Sequence, residues 1–130
     1  MAKKKIELEY PLSNVSGPIL WNAISTSIGL QTWMANKVTD QERVFTFEWS
    51  EDEIRQAEMT HKRNNSHVRF HWLDDDDPQS YFELGMDYNE LTGDYTLTVT
   101  DTVEEDEAEE ITDLWNIEVE SLLRLYSMNG

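Results

Sequence analysis

The sequence contains no cysteine and only three histidines, so several kinds of chemistry are absent from the start. Without cysteine there is no disulfide framework, no thiolate nucleophile and no cysteine-based zinc site. The absence of disulfides fits a reducing compartment, so we expect a cytoplasmic protein. Long apolar runs are also missing, and the basic N-terminal residues precede an alternating segment and not a signal-peptide stretch. We therefore expect no membrane insertion.

Positive charge is scarce as well. Ten lysine and arginine residues stand against 27 aspartate and glutamate residues, which gives a formal net charge of −17. This balance disfavours nucleic acids and anionic membrane surfaces, because a phosphate-rich partner needs compensating cations. Surface carboxylates keep a protein soluble, and a basic protein is the macromolecular partner that such a charge favours.

Sequence motifs of common catalytic sites are missing too. There is no Gly-x-Ser-x-Gly segment, no glycine-rich phosphate loop and no His-Glu-x-x-His pair. The sequence therefore gives no support for an enzyme, and we expect no catalytic residues, no metal site and no cofactor.

The first third of the chain predicts one strand and two short helices. Residues 6–10 alternate apolar and acidic side chains, as a half-buried strand does, and Pro11 is expected to end this strand. Residues 19–35 have helical spacing in two pieces. Ser16 and Pro18 suit the start of the first piece, and the second begins near residue 28 and carries Trp33 and Met34 on one side.

The rest of the chain predicts aromatic-rich strands and a closing helix. Strands are expected at residues 43–49, 54–62, 68–72, 82–88 and 95–100. From residue 104 the apolar period becomes helical, which predicts an amphipathic helix of about six turns. We find no internal repeat and no linker, so residues 1–130 are expected to form a single domain.

This order of elements predicts an α+β fold in which a curved antiparallel sheet wraps around the long C-terminal helix. The apolar face of the sheet needs a cover, and the closing helix has a matching stripe. A small hydrophobic or lipid-like ligand would occupy the space between them. The expected ligand-binding residues are Trp33, Phe47, Trp49, Met59, His61, Phe70, Trp72, Phe82, Leu84, Met86, Trp115 and Val119. The alternative is that the same side chains simply pack a core.

The histidines and a run of four aspartates are the remaining candidates. His61 is two residues from Met59, so on a strand both share a face, and His61 is expected to face the interior, whereas His67 and His71 are expected to face solvent.

The aspartates at positions 74–77 are expected to form a solvated turn, with a weak divalent cation site as the alternative. Contiguous carboxylates without a glycine do not match a calcium-binding loop.

Residues 19–34, ILWNAISTSIGLQTWM, resemble the opening of the START-like (SRPBCC) helix-grip superfamily, which includes START domains, polyketide cyclases and birch-pollen-allergen-like proteins. The apolar helix, the Ser/Thr-rich break, the Gly-Leu pair and the following tryptophan are most similar to a bacterial branch related to the activator of heat-shock-protein-90 ATPase. Residues 72–74 and 114–125 also stand where that family has a strand end and its closing helix.

Three functions follow from the pattern and the resemblance. The leading one is binding of a small hydrophobic or lipid-like molecule. The second is a chaperone-regulating interaction module that meets a basic partner, and the third is a pocket enzyme of the cyclase or hydrolase type. We expect a monomer or a weak homodimer.

Overall fold

The computed structural model describes residues 2–129, with side chains described as far as Tyr126. Its elements, in chain order, are β1 (Lys3–Leu12), α1 (Gly17–Ser25), α2 (Ser27–Gln31), β2 (Lys37–Gln41), β3 (Val44–Ser50), β4 (Glu53–Arg63), β5 (His67–Trp72), β6 (Phe82–Asn89), β7 (Asp94–Glu104), a 3₁₀ turn (Glu105–Glu107) and α3 (Ala108–Asn129).

The seven strands form one antiparallel sheet in the order β1-β7-β6-β5-β4-β3-β2. Strands β2 to β7 follow one another as a meander, and β1 closes the order beside β7. Helix α3 packs on β1 and β7, while α1 packs on β5 and β6. We call inner the face that carries Phe47, Phe70 and Phe82, which are fully buried, and outer the opposite face. The α+β helix-grip prediction is confirmed.

Proline does not end the first strand, so the expected boundary at Pro11 is wrong. β1 continues to Leu12, and Pro11 stands opposite Thr96 of β7 within the ladder. β1 is an edge strand, where alternate N–H groups point away from the sheet, and such a strand tolerates a residue without an N–H.

The sequence pattern missed strand β2 entirely. Its segment is mostly polar, and only Val38 is buried, so it has no apolar alternation to detect. The strand exists because its backbone pairs with β3, from Lys37 opposite Glu48 to Gln41 opposite Val44. Its polar composition follows from exposure, since the other four side chains of the strand are exposed on the faces of the sheet.

Two helix boundaries also differ from the expectations. Helix α2 ends at Gln31, so Trp33 and Met34 lie in the turn after it, although both are buried. The closing helix starts at Ala108 and not at residue 104, because β7 remains paired to β1 and continues to place alternate side chains, Asp101 and Val103, on the inner face.

No helix among residues 2–129 has the length and apolar content to cross a membrane.

Gly29 allows α2 to lie directly on α1. A Cβ atom at this position would overlap the carbonyl oxygen of Asn22 and lie 2.8 Å from the Cα of Ala23. These are backbone atoms that no side-chain rotation can move. We expect Gly29→Ala to lower the free energy of unfolding by about 2 kcal/mol, measured by chemical denaturation. Ile28→Ala in the same helix is the control, because Ile28 is 75% exposed and should change stability by less than about 0.5 kcal/mol. Equal stability of both variants would contradict the close helix contact.

Candidate functional site

An aromatic cluster fills the inner side of the sheet. Phe70 and Phe82 stack with ring centroids 4.9 Å apart, and Phe47 lies edge-on to both. From α3, Trp115 reaches Phe82 at 5.9 Å and Trp33 at 6.4 Å. These distances are those of favourable aromatic pairs, so the rings link the sheet, the turn after α2 and the closing helix.

The structure brings most of the predicted ligand-binding residues together, but it packs them against each other. The buried ones are Trp33, Phe47, Met59, Phe70, Phe82, Leu84, Met86, Trp115 and Val119. Trp49 and Trp72 are half-buried at the margin of the cluster. Their role in ligand binding stays a prediction, and their burial shows that they also form the core.

The expectation that His61 faces the interior is wrong. The pairing of β4 with β5 shifts by one residue between Met59 and His61, so Met59 stands opposite Phe70 and His61 opposite Arg69. This β-bulge reverses the parity of the strand and turns His61 to the outer face, where it is exposed. His67 and His71 lie on the outer face, as predicted, and are partly buried there.

An opening lies where the inner face meets the start of α3. We call it the helix cleft; its volume is about 210 Å³, and its lining includes Lys3, Arg55, Trp72, Asp101, Glu104 and Ile111. Arg55 lies with its guanidinium carbon 4.0 Å from the centroid of the Trp72 ring. The cleft therefore combines an aromatic wall with charged groups at its rim.

The aspartate run closes one side of this cleft. It forms a turn between β5 and β6, as predicted, and ion pairs also hold it in place. Asp74 accepts two hydrogen bonds from Arg55, at 2.8 and 2.7 Å, and this arginine lowers the pKa of the carboxyl. Lys3 Nζ lies 3.3 Å from both Asp75 and Asp77. Within residues 2–129 no group of three or more His, Asp or Glu side chains is arranged to hold a metal ion.

Asp101 places a carboxylate among apolar side chains. It stands opposite Ile6 and Phe82 in the sheet, and Phe82 belongs to the aromatic cluster. The indole N–H of Trp115 donates to its Oδ2 at 2.9 Å. Burial raises the pKa of Asp101 to about 6, even though the Trp115 hydrogen bond favours the ionised form.

Glu118 brings a second carboxyl to this interior, two turns beyond Ile111 along α3. Burial, and then the neighbouring charge of Asp101, raise its pKa to about 8. Tyr10 of β1 lies beside it and donates from its hydroxyl to Asn116 Oδ1 at 2.6 Å. Glu118 thus holds its proton at neutral pH and can donate one hydrogen bond while accepting others.

Two buried polar atoms have no hydrogen-bond partner among the described residues. Oε2 of Glu104, in the helix cleft, and the hydroxyl of Tyr126, further along α3, are buried without a hydrogen bond. Burial raises the pKa of Tyr126 to about 12. Unpaired buried polar atoms are costly, so groups of this kind point to a function or to an absent partner.

Sequence reasoning missed Asp101 and Glu118. The signal for Asp101 was present, because it continues the alternation of Leu97 and Val99; the predicted strand stopped one residue short of it. Glu118 precedes the apolar Val119 on a helix rich in acidic residues, and the sequence has no feature that separates it from exposed neighbours such as Glu120.

A larger opening lies at the α1–α2 junction and faces β2, β3 and β4. Its volume is about 560 Å³; Phe45 and Met59 form its apolar floor, and Asp40, Arg43 and Lys62 lie on its charged rim. Neither Asp101 nor any residue of α3 belongs to its lining.

Comparison with known proteins agrees with this architecture. A family model described as the START-like superfamily domain matches residues 1–127. A protein from Bacteroides fragilis, solved by NMR in solution, is 50% identical over 96% of this chain and 92% of its own, with a TM-score of 0.68. No curated protein matches the sequence significantly.

More distant structures share the fold alone. The Aha1 dimer from Colwellia psychrerythraea is 15% identical, with a TM-score of 0.74 over 92% of both chains. A protein from Mesorhizobium loti is 18% identical, with a TM-score of 0.76 over 98% of this chain and 99% of its own.

Proposed function

Because the chain belongs to the START-like superfamily, we propose that it binds a compact small molecule at the helix cleft, with an apolar part against Trp72 and Ile111 and a polar part toward Asp101. The observation that carries this proposal is the half-buried carboxylate of Asp101, which lies on the inner face opposite Phe82 and accepts a hydrogen bond from Trp115. Partial burial of a carboxyl costs folding free energy, so its presence at the inner wall of a cleft favours a binding role over a packing role.

The charge pattern of the cleft indicates the polar part of the ligand. Lys3 and Arg55 are already paired with the aspartate run, which leaves Asp101 and Glu104 without an ion pair in the described part of the chain. Carboxylates prefer hydrogen-bond donors, so an amine or a hydroxyl suits this site better than an acid.

The size of the cleft favours a small ligand over a long acyl chain. Its volume of about 210 Å³ lies below the range of roughly 300–1,000 Å³ that is usual for drug-sized ligands. The fully buried Phe47, Phe70 and Phe82 occupy the space that an acyl chain would need. A compact aromatic or aliphatic amine or alcohol fits these limits.

Two tryptophan substitutions on α3 test the proposal. Ile111→Trp fills the cleft, whereas Leu114→Trp adds the same bulk at a position that is 50% exposed. We expect Ile111→Trp to lower binding of a panel of aromatic and aliphatic amines and alcohols at least about tenfold, since one blocked apolar contact costs more than about 1.4 kcal/mol. Leu114→Trp should bind as the natural protein does. Native mass spectrometry measures both, and melting temperatures check the folds.

Asp101→Asn then separates the polar contact from the apolar one. We expect it to weaken amines more than alcohols, because only the amine loses a charge-assisted hydrogen bond. Equal binding by the natural protein and Ile111→Trp, or no binding of the panel by either, would contradict the proposal. A protein that binds no member of the panel would favour the interaction-module function instead.

A further inference from the structure

A second opening lies on the outer face of the sheet, away from α3. We call it the outer cleft; its volume is about 310 Å³, and His61, Arg69, His71 and Tyr81 line it together with residues 78–80. Its size lies within the usual range for small-molecule sites. Although the chain has a net charge of −17, this cleft is lined by an arginine and by two of the three histidines.

The β-bulge in β4 builds one side of this cleft. It turns His61 to the outer face, directly opposite Arg69 of β5. Arg43 stabilises the irregular backbone, because its Nε donates to the Met59 carbonyl at 3.0 Å and its own carbonyl accepts from the Met59 N–H at 2.8 Å. Bulges often redirect a side chain at a functional site.

The second wall fixes the orientation of His71. The carbonyl oxygen of Ser80 lies 2.8 Å from Nδ1 of this ring. A carbonyl only accepts, so Nδ1 carries the hydrogen and Nε2 is left to accept from a ligand or, once protonated, to donate to one. Nδ1 of His61 is also engaged, 3.1 Å from the Thr60 hydroxyl, which can donate to it or accept from it. Both imidazoles therefore keep Nε2 free of other hydrogen bonds within the described residues.

Arg69 is held in place on two sides. Its Nε donates to Glu83 Oε1 at 3.0 Å, and its guanidinium carbon lies 3.9 Å from the centroid of the Tyr81 ring. Its terminal nitrogens make no hydrogen bond within the described part of the chain. A guanidinium fixed by stacking and by its Nε offers those nitrogens to a ligand with little loss of side-chain entropy.

We propose that the outer cleft binds an oxyanion, a carboxylate or a phosphate-like group, between the terminal nitrogens of Arg69 and the Nε2 atoms of His61 and His71. The charge of Arg69 argues against a metal cation at the same place. Of the other charged groups around the cleft, Glu83 is paired with Arg69, and Lys5 lies 5.3 Å from the centroid of the Tyr81 ring. Glu58 of β4 is paired with His71 of β5, and its negative charge repels a bound anion when the imidazoles are neutral.

Binding should therefore strengthen as the pH falls. A neutral imidazole offers Nε2 as an acceptor, which repels an anion, whereas a protonated imidazole donates from it. Sulfate and benzoate are suitable probes, because both keep a constant charge between pH 6 and 8 and distinguish a phosphate-like ligand from a carboxylate.

The experiment follows the histidine ring resonances by NMR during titration with each probe at constant ionic strength. We expect at least one probe to shift His61 and His71 saturably at pH 6, with an affinity about tenfold lower at pH 8. His67 is the internal control, because it lies on the same face of β5, bonded to Ser66 and outside the cleft. His61→Gln and His71→Gln should each weaken binding, whereas His67→Gln should not.

A double variant tests Arg69 without leaving Glu83 unpaired. Arg69→Gln with Glu83→Gln keeps a neutral hydrogen-bonding pair, and we expect it to lower affinity at least about tenfold. The proposal is overturned if neither probe saturates at pH 6, or if His67 shifts with the same concentration dependence as His61 and His71.

Discussion

Phe82→Ala should lower the free energy of unfolding by about 4 kcal/mol, a large part of the roughly 5–15 kcal/mol that stabilises a typical domain. Phe82 is fully buried and touches rings from three directions, with Phe70 at 4.9 Å, Trp72 at 5.1 Å and Trp115 at 5.9 Å. The substitution removes both the apolar area and the aromatic contacts, and it leaves a cavity that rigid neighbours cannot close. Urea denaturation at pH 7 measures the loss.

The same variant shows whether the predicted ligand-binding residues of the aromatic cluster pack the hydrophobic core. Leu91→Ala is the control, because Leu91 is 97% exposed and should change stability by less than about 0.5 kcal/mol. Benzene should raise the melting temperature of Phe82→Ala and leave that of the natural protein unchanged, since only the variant has an apolar cavity. A loss below about 1 kcal/mol would mean that Phe82 lines an open space and not a packed cluster.

Glu118→Gln should stabilise the protein at alkaline pH. The pKa of Glu118 is raised in the folded state to about 8, from an ordinary value of 4.5, so the folded protein holds this proton more tightly than the unfolded chain does. The resulting stability is fully present below pH 4.5 and is lost as the pH rises through about 8. Glutamine resembles the protonated acid but does not ionise. The variant should therefore equal the natural protein near pH 5 and exceed it at pH 9 by about 2 kcal/mol, a value reduced for partial solvent access.

The pH profile of the melting temperature measures this difference. At pH 9 we expect Glu118→Gln to melt roughly 5–10 °C above the natural protein. Glu120→Gln is the matched control on the same helix, because its side chain is exposed and pairs with Arg124 at the surface. Surface carboxylates complete their ionisation below pH ~6, so they change the melting temperature little between pH 6 and 9. Parallel profiles for the natural protein and Glu118→Gln would contradict the interior placement of this carboxyl.

The protonation states of Asp101 and Glu118 explain how the folded protein accommodates two neighbouring carboxyl groups at the proposed ligand site. Asp101 keeps one hydrogen bond from Trp115, and Glu118 stays protonated at neutral pH, so the interior does not hold two adjacent negative charges. A bound amine would favour ionisation of both. Ligand binding and proton release should therefore be linked, which the amine titrations detect as a pH-dependent affinity.

The amino-acid sequence by itself determined the order of the apolar strands and of the helices, and most of the aromatic side chains of the inner face. Alternation at Phe45, Phe47, Val68, Phe70 and Phe82, and the apolar stripe of α3, were enough to predict an antiparallel sheet covered by the closing helix, because these periods are local properties of a strand and a helix. The resemblance of residues 19–34 pointed to the superfamily, which the family model confirmed.

Only the tertiary structure decided which groups meet. A bulge in β4 turned His61 outward beside Arg69, and pairing with β1 extended β7 so that Asp101 reached the inner face. The packing of α3 on β1 and β7 sets Glu118 beside the charge of Asp101. A one-residue shift reverses every following side chain of a strand, and its occurrence depends on pairing with residues distant in sequence. Local periodicity contains no information about such a shift, so the outer cleft was decided by contacts between elements and not by the elements themselves.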